Sequence, residues 1–212
     1  MRPLERFKEK SKTMLIAFDF DNTIVSYDSL FHKVAKEQGV IPHDLAVNKL
    51  AVRDHLRATE RENIWTEMQG YVYGARMNEA EAYADVIKVM QNLQSENHRL
   101  AIISHKTKHP YLGKKYDLHA AARTWIEKYL QIDNRPLIAS DHIFFELTKE
   151  EKLARIASLN CDIFIDDLPE ILLAASFPEK TRRFLFDPEQ HHHAIANLQS
   201  FAAWSSFESY LS

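Results

Sequence analysis

Cysteine is nearly absent from this sequence. The 212 residues include one, Cys161, so no disulfide can close within the chain, which suits a reducing compartment. Long apolar runs are lacking too. None approaches the roughly 20 residues a transmembrane helix needs. Nor is there an excess of charge of one sign: 27 Lys+Arg face 30 Asp+Glu, and the net charge of −3 exerts no strong pull on nucleic acid or an anionic membrane. Repeats and low-complexity stretches are missing. The opening MRPLERFKEKSKT is basic but meets only a short apolar segment, without the longer apolar region and small-residue cleavage site of a secretory signal. These absences lead to the expectation of a cytoplasmic globular protein with no nucleic-acid or membrane partner. Its first dozen residues are expected as a mobile arm or short helix, with either Met1 or Met14 as the physiological start. The length suits one good-sized domain or a core with a small insert.

Four short apolar stretches have strand length: Met14 to Phe20, Leu100 to Ile103, Ile163 to Ile165 and Arg183 to Phe186, with Leu137 to Ala139 a weaker fifth. Helical periodicity lies between them, in NEAEAYADVIKVMQNLQ and YDLHAAARTWIEKYL. Strands alternating with helices predict an α/β fold, a Rossmann-like doubly wound parallel sheet. From Asp28 to Arg76 the pattern is helical only: SLFHKVAKEQG closed by Gly39, PHDLAVNKLAVRDHL opened by Pro42, and RENIWTEMQGYVY. The expected organisation is therefore a core of residues 1–27 and 77–212 with a small all-helical cap, 28–76, inserted after the first strand.

In open α/β sheets, ligands bind beyond the carboxyl ends of the strands. The first strand delivers Asp19 and Asp21, one residue apart and so able to look the same way. LAIISHKT delivers Ser104, followed by His105, Lys106 and Thr107; DIFIDDLPE delivers Asp166 and Asp167; and TKEEKLARIASLNC carries Lys149 and Lys152 near the start of a helix. So many carboxylates at one edge would repel each other unless a hard divalent cation joined them, and Mg²⁺ prefers such oxygens. A hydroxyl and a lysine beside it complete a pocket for phosphate.

DFDNT resembles the first motif of the haloacid dehalogenase-like (HAD) superfamily. Ser104 matches the second motif, Lys152 in preference to Lys149 the third, and Asp166-Asp167 the double-acid form of the fourth; the helical insert lies where members with a type-1 cap carry it. SHKT and FIDDLPEI are also similar to small bacterial members associated with surface-polysaccharide genes. The resemblance implies that Asp19 is a nucleophile forming an aspartyl-phosphate and that Asp21 is the acid and base. Ser104 and Lys152 would hold the phosphoryl group. Mg²⁺ would be bound by Asp19, the backbone carbonyl of Asp21, Asp167, and Asp166 directly or through water. An acid at Asp21 favours a leaving alkoxide, which needs a proton, over a halide, which needs none.

A cap of this size suits a small phosphorylated metabolite, with a sugar phosphate first and a nucleoside monophosphate second. A phosphotransferase and a catalytically idle binding subunit compete with the phosphatase reading. Arg53, His55, Arg57, Trp65, Tyr71, Tyr73 and Arg76 are the cap's candidates for contacting substrate, and His105 and His109 are those near Ser104. Blander roles compete: Ser104 or Asp166 as a turn cap, Lys152 as a solvated helix lysine, Cys161 as a core thiol, and His191 to His193 as a surface run rather than a metal site.

Overall fold

Leu15 to Phe18 are apolar without a break, and such a run is buried on both faces only inside a parallel sheet. The computed structural model, which describes residues 13–192 and 195–211, makes this segment the strand β1 (Leu15–Phe18). The chain continues through β2 (Val25–Ser26), α1 (Asp28–Glu37), α2 (Lys49–Ala58), α3 (Glu62–Tyr73), β3 (Glu81–Ala82), α4 (Val86–Ser95), β4 (Arg99–His105) and α5 (Leu118–Tyr129). It goes on with β5 (Gln131–Ile132), β6 (Arg135–Pro136), β7 (Ile143–Glu146), α6 (Lys149–Ser158), β8 (Ile163–Asp166), α7 (Pro169–Leu172), β9 (Arg182–Phe186) and β10 (Gln199–Phe201). Six strands form a parallel sheet in the order β10-β9-β8-β1-β4-β7, while β2 pairs antiparallel with β3 and β5 with β6. This is the expected Rossmann-like α/β architecture.

Alternation along the strands sorts the core into two apolar clusters. Ile16, Phe18, Ile102, Ile165 and Phe184 pack with Val89 and Met90 of α4 and Trp125 of α5. Leu15, Ala17, Ala101, Ile103 and Phe164 pack with Leu153 and Ile156 of α6 and Ile171 of α7. Helices α1 to α3 contribute Phe31, Val52, Trp65 and Met68 to the first cluster, so they share one continuous core with the sheet.

Several boundaries differ from the expectation. Leu137 to Ala139 is not a strand: Leu137 and Ile138 are buried, but they lead into a 3-10 turn, and the sheet edge is β7. Burial without alternation had imitated a strand there. β10 carries a single apolar residue, Phe201, too few for a periodic signal. The helix expected through Asn78 to Gln94 starts only at Val86, because Glu81 and Ala82 are drawn into pairing with β2. α2 starts at Lys49 rather than near Pro42. Asn48 caps it, its side chain accepting the Leu50 and Ala51 N–H groups at 2.7 and 3.1 Å, and Asp28 accepts the Lys49 N–H at 2.7 Å. Gly74, just after α3, has a φ of −105°, which is open to other residues. What it supplies is room, since a Cβ there would lie 2.4 Å from the Tyr116 Cβ. The expectation for the first dozen residues, and His193, lie outside the described residues. Among those described, no helix is long and apolar enough to cross a membrane.

Candidate active site

The sheet places β4 on one side of β1 and β8 on the other. Chain connections diverge there, which opens a crevice at the carboxyl ends of β1 and β8. Asp19 is fixed at its floor by one more sheet bond, its N–H donating to Ile165 O at 2.8 Å. The chain then turns sharply. Asn22 takes a left-handed φ of 59°, which asparagine tolerates, and the N–H groups of Ile24 and Val25 both return to Phe20 O at 3.1 Å.

Asp166 ends β8 fully buried and divides its oxygens between two tasks. Oδ1 accepts the Leu168 N–H at 2.9 Å, capping the turn, while Oδ2 accepts from Lys152 Nζ at 2.6 Å. Lys152 also donates to Asp19 Oδ1 at 2.6 Å. Its helix, α6, is started by a capping box between Thr148 and Glu151, and Lys152 sits 1% exposed while Lys149 pairs with Glu170 at the surface. Of the two candidate lysines, Lys152 is the one on the carboxylates.

Carboxylate oxygens of Asp19, Asp166 and Asp167 lie within 4.8 Å of one another, the one such cluster of three ligating side chains among the described residues. Burial pushes Asp19 up to about 7, with Lys152 opposing and Asp166 and Asp21 adding to it. Asp167 is pushed well above the usual carboxylate range by burial and then by Asp166 and Asp19. Lys152 stays protonated: burial works against its charge, but Asp166 and Asp19 outweigh it. Three hard oxygen donors strained by mutual repulsion fit a Mg²⁺ ion.

The Asp21 carboxylate is not in that cluster. It accepts from Lys106 Nζ at 2.7 and 2.9 Å and from the Tyr27 hydroxyl at 2.5 Å. Burial would raise its pKa, but Lys106 and Tyr27 together hold it below the usual range. Ser104 stands at the end of β4 with its Oγ buried and without a hydrogen-bond partner, alone in this among the described residues. An unmet buried hydroxyl costs about 1–3 kcal/mol, a cost that an arriving ligand oxygen would relieve.

Other candidates are placed elsewhere. The exposed His105 ring bonds Leu147 O at 3.1 Å, and the His109 ring bonds Tyr116 O at 3.0 Å. Arg76 is engaged by Glu37 and Glu79 and lies over Tyr71. Arg53 pairs with Asp54, Arg57 with Glu62, His55 meets Arg61, and Trp65 is core. Cys161 is a buried free thiol. The His191 and His192 N–H groups both donate to Asp187, within an exposed loop.

Tyr73 does reach the site, with Lys106 Nζ 4.9 Å and Lys49 Nζ 5.7 Å from its ring centre. Lys106, Lys49 and Tyr27 were not singled out from the sequence. Lys106 was legible in principle, because a residue two beyond Ser104 in an extended chain shares its side. Lys49 and Tyr27 left no signal; they arrive through the packing of α1 and α2 over the strand ends.

No protein-family model matches the sequence, and no curated protein matches it. Solved structures do match. A HAD-superfamily hydrolase from Ehrlichia chaffeensis is 14% identical, with a TM-score of 0.55 over 95% of this chain and 98% of its own. The β-phosphoglucomutase of Pyrococcus sp. strain ST 04 is 14% identical, with a TM-score of 0.56 over 94% and 98%. A HAD-hydrolase from Bacillus subtilis bound to magnesium is 13% identical, with a TM-score of 0.52 over 95% and 99%. At such identities the likeness is one of fold, and the fold of this chain is that of the haloacid dehalogenase-like superfamily hydrolases.

Proposed function

We propose that the protein is a Mg²⁺-dependent phosphatase of a small phosphorylated metabolite, a sugar phosphate in first place, acting through an aspartyl-phosphate. The observation that carries this reading is the convergence of Asp19, Asp166 and Asp167 on one buried point with Lys152 bridging two of them. Asp19, Asp166, Asp167 and the Asp21 carbonyl would hold the metal. When bound, Mg²⁺ offsets the carboxylate charge and draws electron density from the phosphoryl oxygens.

Asp19 attacks phosphorus as the ester oxygen departs with a proton from Asp21, giving an aspartyl-phosphate and a free alcohol. Water then attacks that phosphorus, passes its proton to Asp21, and releases phosphate and Asp19. With Lys106 and Tyr27 both donating to it, Asp21 rests in its base form, the form needed to activate water. An incoming phosphoryl anion raises its proton affinity and readies it for the first half. Ser104 Oγ, free to donate, and Lys152 stabilise charge on the phosphoryl oxygens. The lone buried thiol and the absence of a long apolar helix in the described residues support a cytoplasmic setting.

The test is phosphate release from p-nitrophenyl phosphate and a panel of sugar phosphates and nucleotides, with Mg²⁺, with chelator, and with Asp19→Asn. Turnover that needs both Mg²⁺ and Asp19 supports the reading; a panel silent in the presence of bound Mg²⁺ turns it toward phosphotransfer, and failure to bind Mg²⁺ defeats it.

A further inference from the structure

Asp167 opens onto a cleft between the start of α2 and the loop after β9. Its lining carries one lysine and no arginine. Lys49 Nζ donates to Asn22 Oδ1 at 3.1 Å and lies 5.7 to 5.9 Å from the ring centres of Tyr27, Phe31 and Tyr73. Against burial, Tyr73, Asp167 and Asp21 all favour its charge.

The other charged carboxylates of the lining have the opposite sign. They are Asp28, Asp187 and Glu189, and their hydrogen bonds do not cancel their charge. Asp28 accepts the Lys49 backbone N–H, Asp187 accepts the N–H groups of His191 and His192, and Glu189 accepts from the Asn48 amide at 2.7 Å. Among the described residues, no lysine or arginine forms an ion pair with any of the three; the His191 ring, 3.0 Å from Glu189, is their one ionisable partner. The cleft thus holds one lysine and three carboxylates besides Asp167, the member of the carboxylate cluster that lines it.

We infer that the cleft selects phosphate monoesters whose alcohol carries no anionic group: hydroxyl-bearing neutral or aminated sugars, and not carboxylate-bearing alcohols or bisphosphates. A second anion lying along that lining would face three carboxylates that no lysine or arginine is paired with, and like-charge placement of this kind is a strong means of rejection. The inference rests on the phosphatase reading.

Three pyranosyl phosphates of matched shape test it: glucose 1-phosphate, glucosamine 1-phosphate and glucuronate 1-phosphate. Each is measured as a substrate and as an inhibitor of p-nitrophenyl phosphate turnover in the presence of Mg²⁺. Glucuronate 1-phosphate should be at least about tenfold weaker than the other two, and the gap should narrow in high salt, as an electrostatic effect must. Glu189→Lys, a change at a half-exposed side chain, should bring the three at least about threefold closer together, and Asp28→Asn should act in the same direction. Equal binding of all three, or a gap insensitive to salt and to both variants, overturns the inference and leaves the phosphatase reading standing. Absence of Mg²⁺-dependent p-nitrophenyl phosphate turnover overturns both.

Discussion

A hydroxyl buried without a partner, as Ser104 Oγ is, destabilises the free protein by about 1–3 kcal/mol. Ser104→Ala should therefore leave the urea midpoint unchanged or raised while lowering kcat/KM by roughly 10–10³-fold, as loss of an oxyanion donor does. A fall in stability would show that the hydroxyl has a structural partner. Asp21 gives a second test at this scale. Burial raises its proton affinity, and Lys106 and Tyr27 outweigh burial. Lys106→Met removes the leading charge that opposes burial, so Asp21 must hold its proton to higher pH. In kcat/KM, which reports the half in which Asp21 gives up its proton, the alkaline limb should shift upward; an unmoved limb would detach Lys106 from the chemistry.

Among the elements, α3 depends on two residues without side chains. A Cβ at Gly70 would lie 2.6 Å from the Pro110 Cβ, and one at Gly74 would lie 2.4 Å from that of Tyr116. Both obstacles are the stiff root of a side chain, so neither yields by rotation. Gly70→Ala and Gly74→Ala should each cost about 1–3 kcal/mol, read from urea midpoints, with the loop of residues 106–117 displaced with them. Wild-type midpoints would mean that the loop is free to retreat. α6 illustrates the opposite case, an element written locally. Thr148 and Glu151 close its first turn by themselves, which orients Lys152 toward Asp19 and Asp166.

For the whole molecule, the site's electrostatics tie metal binding to pH. The Asp19 carboxyl, pushed up to about 7 from 3.8, keeps its proton in the folded state across a window in which the unfolded chain has lost it. Stability from this group is full below the unfolded pKa and falls as pH rises through the folded one. Mg²⁺ binds the ionised form and removes that loss. The rise in Tm on adding Mg²⁺ should therefore be larger at about pH 8 than at about pH 5.5, and Asp19→Asn should flatten the difference. An equal rise at both values would separate the metal from Asp19. The shared core makes a second prediction: Trp65 lies in the α1–α3 layer, Trp125 and Trp204 lie against the sheet, and all three belong to one cluster. Tryptophan fluorescence and far-UV circular dichroism should report one coincident unfolding transition.

Taken alone, the sequence determined the α/β class, the strand ends and the acids that stand on them. These are local: an apolar strand followed by Asp19, Ser104 or Asp166 places a polar group at a sheet edge wherever that strand lies. Short or diverted elements were not legible, because Gln199 to Phe201 and Glu81 to Ala82 become strands only through their partners. Tertiary structure alone decided that Asp21 turns to Lys106 and Tyr27. It also decided that Arg76 is engaged by Glu37 and Glu79 and that Asp28 and Glu189, 161 residues apart, line one cleft. Such contacts depend on how α1, α2 and the loop after β9 pack over the strand ends, and the spacing of residues along a chain carries no record of that packing.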